Sequence, residues 1–173
     1  MTAELTSAQR AAVETIVDAI EAADLVPVRH GPDVVEVDLP GTRKLTTTVR
    51  LEVGRHALAV HAFVARHPDE NHEGVYRWLL ERNLKLYGVA FAVDSAGDIY
   101  LDGRLPLHVV TADEVDRLLG AVLSAADDSF NTIVELGFAS SIRKEWQWRL
   151  DRGESTANLA AFEHLRPDTS SSS

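Results

Sequence analysis

The sequence predicts an α+β fold with one helix, three strands, a second helix, two strands and a long helix (α-β-β-β-α-β-β-α). Strand-like alternation of apolar and polar residues occurs in consecutive runs joined by short turns, which is typical of antiparallel sheets. Helical spacing of apolar residues precedes, interrupts and follows these runs. The length of 173 residues suits a single domain with one sizeable core.

The first element is predicted to be an amphipathic helix. Thr6 and Gln9 have the spacing of a capping box. Apolar residues then recur on one face, opposite an acidic face: Val13, Ile16, Val17 and Ile20. Pro27, Gly31 and Pro32 end the helix and indicate a turn.

Three strands are expected next, with short connections that predict an antiparallel meander. Residues 35–39 alternate before Pro40 and Gly41 stop them. The clearest period-two pattern covers residues 45–53, and Gly54 then introduces a third strand over residues 56–65.

The second helix, over residues 72–86, is predicted to have two apolar faces. Val75, Trp78, Leu79 and Arg82 share one face, and Tyr76, Leu80 and Leu84 form a second. The sheet can cover one face alone, so a symmetric dimer is expected to bury the rest. The residues assigned to this dimer interface are Trp78, Tyr76, Leu80 and Leu84.

A hairpin and a long helix complete the predicted domain. Strands at residues 89–93 and 99–101 are joined by the turn Asp94-Ser95-Ala96-Gly97-Asp98. Thr111 and Glu114 form a second capping box before a helix that continues to about residue 134, and Gly137 indicates a bend or an end. One continuous core is expected to contain Leu45, Val49, Leu51, Leu58, Val60, Val89, Phe91, Ile99, Val115, Leu119 and Val122.

The C-terminal part is predicted to be a helical extension of the single domain, which spans residues 1–165. The extension begins at about residue 140, is broken at Gly153 and has a short helix around Leu159 and Phe162. The Ser-rich residues 166–173 are too polar to pack and are expected to be a disordered tail.

Three segments resemble the YbjN family, which shares the type III secretion chaperone-like fold: Trp78-Leu79-Leu80-Glu81-Arg82-Asn83, Tyr87-Gly88-Val89-Ala90-Phe91 and Arg104-Leu105-Pro106-Leu107. The resemblance covers about residues 6–138. It implies helices that flank a curved antiparallel sheet, in an acidic and usually dimeric module whose relatives bind proteins or regulate signalling. No catalytic residue comes with the resemblance, and the extension from about residue 140 departs from the minimal fold.

Composition limits the partners that can be expected. Seventeen basic and 27 acidic residues give a formal charge of −10, which repels nucleic acid and anionic lipid at long range. No cysteine is present, and no apolar run reaches signal-peptide or membrane-spanning length. The sequence therefore predicts a cytoplasmic protein without a nucleic-acid or membrane partner.

Candidate chemical motifs are few. Arg29-His30-Gly31 matches the tripeptide of histidine phosphatases, but it lies in a Pro-flanked turn and lacks that family's strand context. His67 and His72 do not have a zinc-ligand spacing, and the hairpin aspartates lack the loop of a calcium site. No nucleotide-binding glycine motif occurs. We expect no cofactor, no metal site and no enzymatic activity.

A Trp-rich basic segment is the strongest candidate binding site: Arg143, Lys144, Trp146, Trp148, Arg149 and Arg152. Trp and Arg are enriched at the energetic centres of interfaces, so the segment predicts a contact with an unidentified protein. In a helix, residues two apart lie about 200° apart, so one Trp ring should pack and the other should face outward. The alternatives are RNA stacking on these rings, or a regulator that senses a small molecule in a cavity between the sheet and the long helix.

Overall fold

The computed structural model describes residues 4–168, which form an antiparallel sheet with helices. The helices are α1 (Ser7–Ala22), α2 (His72–Asn83) and α3 (Ala112–Arg152), and the strands are β1 (Val28–Arg29), β2 (Val34–Pro40), β3 (Thr46–Val53), β4 (Ala57–Ala65), β5 (Ala90–Val93) and β6 (Ile99–Pro106). Short 3₁₀ segments cover Leu107–Val109 and Ala157–Leu165. The α+β class is confirmed. The spatial strand order is β1-β2-β3-β4-β6-β5.

The sheet has six strands among the described residues, where the sequence predicted five. The additional strand, β1, consists of Val28 and Arg29, which pair with Glu36 and Val35 of β2. A two-residue strand cannot show an alternating pattern, and the prolines and glycine around it indicate a turn. The periodicity of the sequence therefore could not predict β1.

The predicted core is confirmed except at Leu45. One face of the sheet packs against α1 and α3, and along β4 the residues Leu58, Val60, Ala62 and Val64 are buried on that face. Leu45 is 78% exposed. The alternation of β3 does continue to it, because Gly41 N–H donates to the Leu45 carbonyl at 3.0 Å. However, α3 reaches this loop only through the backbone of Thr42, Arg43 and Lys44, and the Leu45 side chain stays outside the core.

The outer edge of β5 is closed by a side chain of α2. Phe91 N–H donates to Asn83 Oδ1 at 2.7 Å, and Asn83 Nδ2 donates to the Phe91 carbonyl at 3.2 Å. The amide thus makes the two bonds that a neighbouring strand would make at this residue. An edge strand occupied in this way cannot pair there with a further strand.

The helix starts follow the predicted capping signals, with one difference. At α1, Thr6 and Gln9 form both bonds of a capping box. At α3, Thr111 accepts the N–H of Glu114, but the Glu114 carboxylate accepts the Tyr87 hydroxyl at 2.6 Å. Only one of the two hydrogen bonds of a capping box therefore forms at α3. The Glu114 carboxylate instead connects α3 to the loop before β5.

The long helix α3 bends where Gly137 predicted a bend. Phe138 has non-helical angles (φ −139°, ψ 19°) inside the helix. The part of α3 after Phe138 carries its own small apolar cluster, to which the second 3₁₀ segment contributes: Ile142, Trp146, Leu159 and Phe162. Arg166 stacks over the Trp146 ring at 5.6 Å. Arg166 is the first residue of the predicted tail of residues 166–173, of which residues 169–173 lie outside the described residues.

Candidate protein-binding surfaces

An apolar stripe runs along the outer side of α2. Val75 and Leu79 are buried beneath the helix, whereas Leu80 is 67% exposed and Leu84 is 88% exposed. Tyr76 is half-buried and lies one turn before Leu80. We call Tyr76, Leu80 and Leu84 the α2 stripe, because a spacing of four residues places them on one side of the helix.

Trp78, the fourth residue expected at a dimer interface, belongs to a different side of α2. Its ring lies 6.5 Å from the ring of Phe91, and the Arg82 guanidinium lies 6.0 Å from it. It is half-buried against the body of the protein. The structure therefore joins three of the four predicted residues and separates the fourth.

The two Trp rings of the C-terminal half of α3 have different environments, as helical geometry predicted. Trp146 is 1% exposed, and its Nε1–H donates to the Phe162 carbonyl at 3.1 Å. The expectation that this ring contacts a partner must therefore be corrected, since the ring fills the small apolar cluster. Trp148 is 43% exposed and faces outward.

The basic residues of this segment also divide into two groups. Arg149 is engaged within the chain, because its Nε donates to Glu145 at 2.6 Å and its Nη1 to the Ser155 carbonyl at 2.7 Å. Lys144 and Arg152 are exposed, with no carboxylate within ion-pair distance among residues 4–168. Arg152 stacks on Trp148 at 4.7 Å. We call Lys144, Trp148 and Arg152 the Trp148 patch, since they follow one another at single-turn spacing. Arg143 is exposed beside it.

The loop before α2 fixes the bend that orients this patch. Asp69 N–H and Glu70 N–H donate to the Gly137 carbonyl at 3.0 and 3.2 Å. The Glu70 carboxylate accepts the N–H of Ser140 at 2.6 Å, which caps the second half of α3 as an N-cap acid would. The hydrogen bond from Arg66 holds the pKa of Asp69 down to about 2, so this carboxylate stays ionised in the loop.

The candidate chemical motifs lie in ordinary surface interactions. Arg29 pairs with Glu14 at 2.9 Å, and His30 lies 2.7 Å from Glu36, both at the exposed end of the sheet. The His72 ring contacts the Pro68 carbonyl. Among residues 4–168, no three His, Asp or Glu side chains gather as metal ligands would, and no helix is long and apolar enough to cross a membrane.

Asp127 is a buried acid that the sequence patterns did not identify. Its Oδ1 accepts three backbone N–H groups of the β2–β3 loop, from Thr42, Arg43 and Lys44, at 2.7–2.9 Å. Its Oδ2 accepts the Thr42 hydroxyl at 2.7 Å. Burial opposes ionisation, but the hydrogen bonds outweigh it and lower the pKa of Asp127 to about 2. An acid inside the apolar stripe of α3, near Ala126, is the signal that could have revealed it.

Sequence comparisons identify a family and several relatives of this chain. The family model YbjN, described as "Putative bacterial sensory transduction regulator", matches residues 12–135. A Mycobacterium tuberculosis protein described as uncharacterized is 53% identical over 174 residues, which cover 98% of this chain and 93% of the relative. A Mycobacterium leprae protein with the same description is 58% identical over 132 residues, which cover 76% of this chain and 72% of the relative.

Solved structures share the fold at low sequence identity. A chain of the ExsC–ExsE complex superposes with a TM-score of 0.53 and 18% identity, covering 72% of this chain and 95% of that one. A chain of the HopA1–SchA chaperone–effector complex superposes with a TM-score of 0.51 and 14% identity, covering 71% and 95%. The fold implied by the sequence resemblance is therefore confirmed.

Proposed function

Because the chain belongs to the YbjN family, we propose that it is a non-catalytic protein-binding module, chaperone-like or an adaptor, that acts as a homodimer in the cytoplasm. The shared fold with a chaperone–effector chain supports a role in holding another protein. The lack of cysteine fits a reducing compartment. The observation that carries the proposal is the Trp148 patch.

The Trp148 patch has the chemistry of an interface centre. A large aromatic ring lies exposed between two guanidinium groups, at 5.9 Å from Arg149 and 4.7 Å from Arg152. Exposed Trp and Arg provide much of the binding energy in protein interfaces. Free cations gather here on a chain with a formal charge of −10, so charge complementarity favours an acidic partner segment with an apolar side chain.

Binding at the Trp148 patch can be tested without disturbing the fold. We expect Trp148→Ala to weaken capture of a protein partner from native lysate, and then to reduce the affinity for that purified partner by more than about 2 kcal/mol in calorimetry. Arg55→Ala is the control, because it removes an exposed arginine from a different part of the chain. Equal affinities of the two variants would refute the role of the patch.

The α2 stripe supports the proposed dimer. Leu80 and Leu84 are two large apolar side chains exposed on one helix whose other side already packs on the core. A twofold axis beside α2 would bring two copies of the stripe together and remove both from water. The same patch on both subunits would then be self-complementary, as a twofold interface requires.

Light scattering tests the dimer. The wild-type protein should have twice the 19.0 kDa mass of one chain, and the double variant Leu80→Asp/Leu84→Asp should have the monomer mass, because a dimer would bury four unpaired carboxylates. Leu45→Asp is the matched control, since Leu45 is equally apolar and exposed but lies in the β2–β3 loop. A wild-type monomer at micromolar concentration would refute the dimer.

A further inference from the structure

A groove of about 450 Å³ lies between the end of β4 and the middle of α3, away from the α2 stripe and the Trp148 patch. Its walls are mainly apolar and aromatic. Phe63, Phe130, Val134 and Phe138 provide them, and the cations Lys44 and Arg66 also line the groove. The volume falls within the range of roughly 300–1,000 Å³ that is usual for small-molecule sites.

Lys44 is a cation without a counter-ion in this groove. Its Nζ lies 5.7 Å from the Phe63 ring and 5.8 Å from the Phe130 ring. Among the described residues no carboxylate lies within 4.0 Å of Nζ. Burial lowers the pKa of Lys44, because the partly desolvated ammonium receives no ion pair in return.

The backbone of Lys44 is fixed by a hydrogen bond to α3. Its N–H donates to Asp127 Oδ1 at 2.9 Å, and the same carboxylate oxygen holds the two preceding residues of the loop. The stem of the lysine therefore starts from a rigid point beside α3. From that point the ammonium lies near both aromatic rings of the groove.

Arg66 differs from Lys44, because its charge is already neutralised. Both terminal nitrogens donate to the Asp69 carboxylate, at 2.6 and 2.9 Å, and the guanidinium stacks on Phe138 at 4.3 Å. The planar guanidinium of Arg66 thus lines the groove without offering a free charge. The groove offers one free positive charge and an apolar, aromatic lining, which matches a molecule with one negative charge and an apolar body.

We propose that the groove binds a small organic acid with a single carboxylate and an aliphatic or aromatic body. The carboxylate would accept a charge-assisted hydrogen bond from Lys44 Nζ, and the body would lie against Phe63, Phe130 and Val134. This site shares no lining residue with the α2 stripe or the Trp148 patch.

Titration with three matched probes tests the proposal: 4-phenylbutyrate, 4-phenylbutylamine and 4-phenylbutan-1-ol. They share the same apolar body and differ in the charge of the head group. We expect 4-phenylbutyrate to shift the NMR resonances of Lys44, Phe63 and Val134 in a saturable manner, with the alcohol binding more weakly and the amine not at all. Lys44→Met keeps the apolar stem and should weaken 4-phenylbutyrate binding by about tenfold, which corresponds to about 1.4 kcal/mol.

Two variants make the result specific. Lys85→Met removes one exposed lysine elsewhere and should leave binding unchanged, which controls for net charge. Phe63→Ala removes one wall of the groove and should weaken the acid and the alcohol alike. Circular dichroism and thermal unfolding of each variant establish that it is folded.

Four outcomes would overturn the proposal. The amine could bind as well as the acid, or none of the lining resonances could shift at about 10 mM 4-phenylbutyrate, a concentration that detects even millimolar affinity. In the third outcome, Lys44→Met would bind the acid as tightly as Lys85→Met does. If a Phe-Asp dipeptide unit within a peptide binds in the groove and the free acids do not, the groove is a protein contact and the free-acid proposal is wrong.

Discussion

Replacing Asp127 with Asn should lower the stability of the protein by about 2 kcal/mol at neutral pH. The side chain is 12% exposed and accepts four hydrogen bonds from the β2–β3 loop. These bonds lower the pKa of Asp127 from 3.8 to about 2 against the opposing effect of burial. A tenfold change in the acid dissociation constant corresponds to about 1.4 kcal/mol, so the lowered pKa accounts for the loss that we expect when the charge is removed.

The pH dependence gives a sharper test than the loss at neutral pH. The pKa of Asp127 is lower in the folded state, so its contribution is fully present above the unfolded value of 3.8 and is lost as the pH falls through that value towards about 2. Urea unfolding at pH 7 should therefore separate wild type from Asp127→Asn by about 2 kcal/mol. At a pH of about 2.5, most of the difference should be gone.

Asp128→Asn is the matched control for this experiment. Asp128 is the next residue of α3, but its side chain is 51% exposed and, within residues 4–168, pairs only with Arg43. A surface ion pair contributes about 0–1 kcal/mol, so this variant should unfold close to wild type. Equal stability of the two variants at pH 7, or a difference between Asp127→Asn and wild type that does not shrink in acid, would refute the assigned role of Asp127.

Two further perturbations address the bend of α3 and the helix beyond it. Trp146→Phe leaves the Phe162 carbonyl without its donor and should lower the unfolding free energy by about 1–3 kcal/mol in denaturant titrations; an unchanged midpoint would contradict the burial of that ring. Gly137→Ala places a Cβ 2.8 Å from the Pro68 Cβ and should destabilise by about 1–3 kcal/mol. Gly120→Ala, where nothing lies within 4 Å, should raise the melting temperature instead, and the opposite order of the two alanines would show that the contact at the bend is unimportant.

Features with a local signal were predictable from the sequence. The half-burial of β3 imposes a period of two, and the geometry of a helix requires Trp146 and Trp148 to face different directions. Which ring is buried depends on a carbonyl 16 residues away, and no local pattern contains that contact. The residues that donate hydrogen bonds to Asp127 are up to 85 positions away in the sequence. The sequence pattern therefore showed an acid in an apolar stripe but could not show which groups it binds.

The bend at Phe138 separates the part of the chain that the family model matches from the C-terminal extension. The family model matches residues 12–135 and ends just before the bend, whereas the M. tuberculosis relative aligns over 98% of the chain. The extension after the bend therefore resembles an arm attached to a common body, with Glu70 and Gly137 at the joint. Substitutions at this joint would change how the extension, and with it Trp148, is held against the sheet.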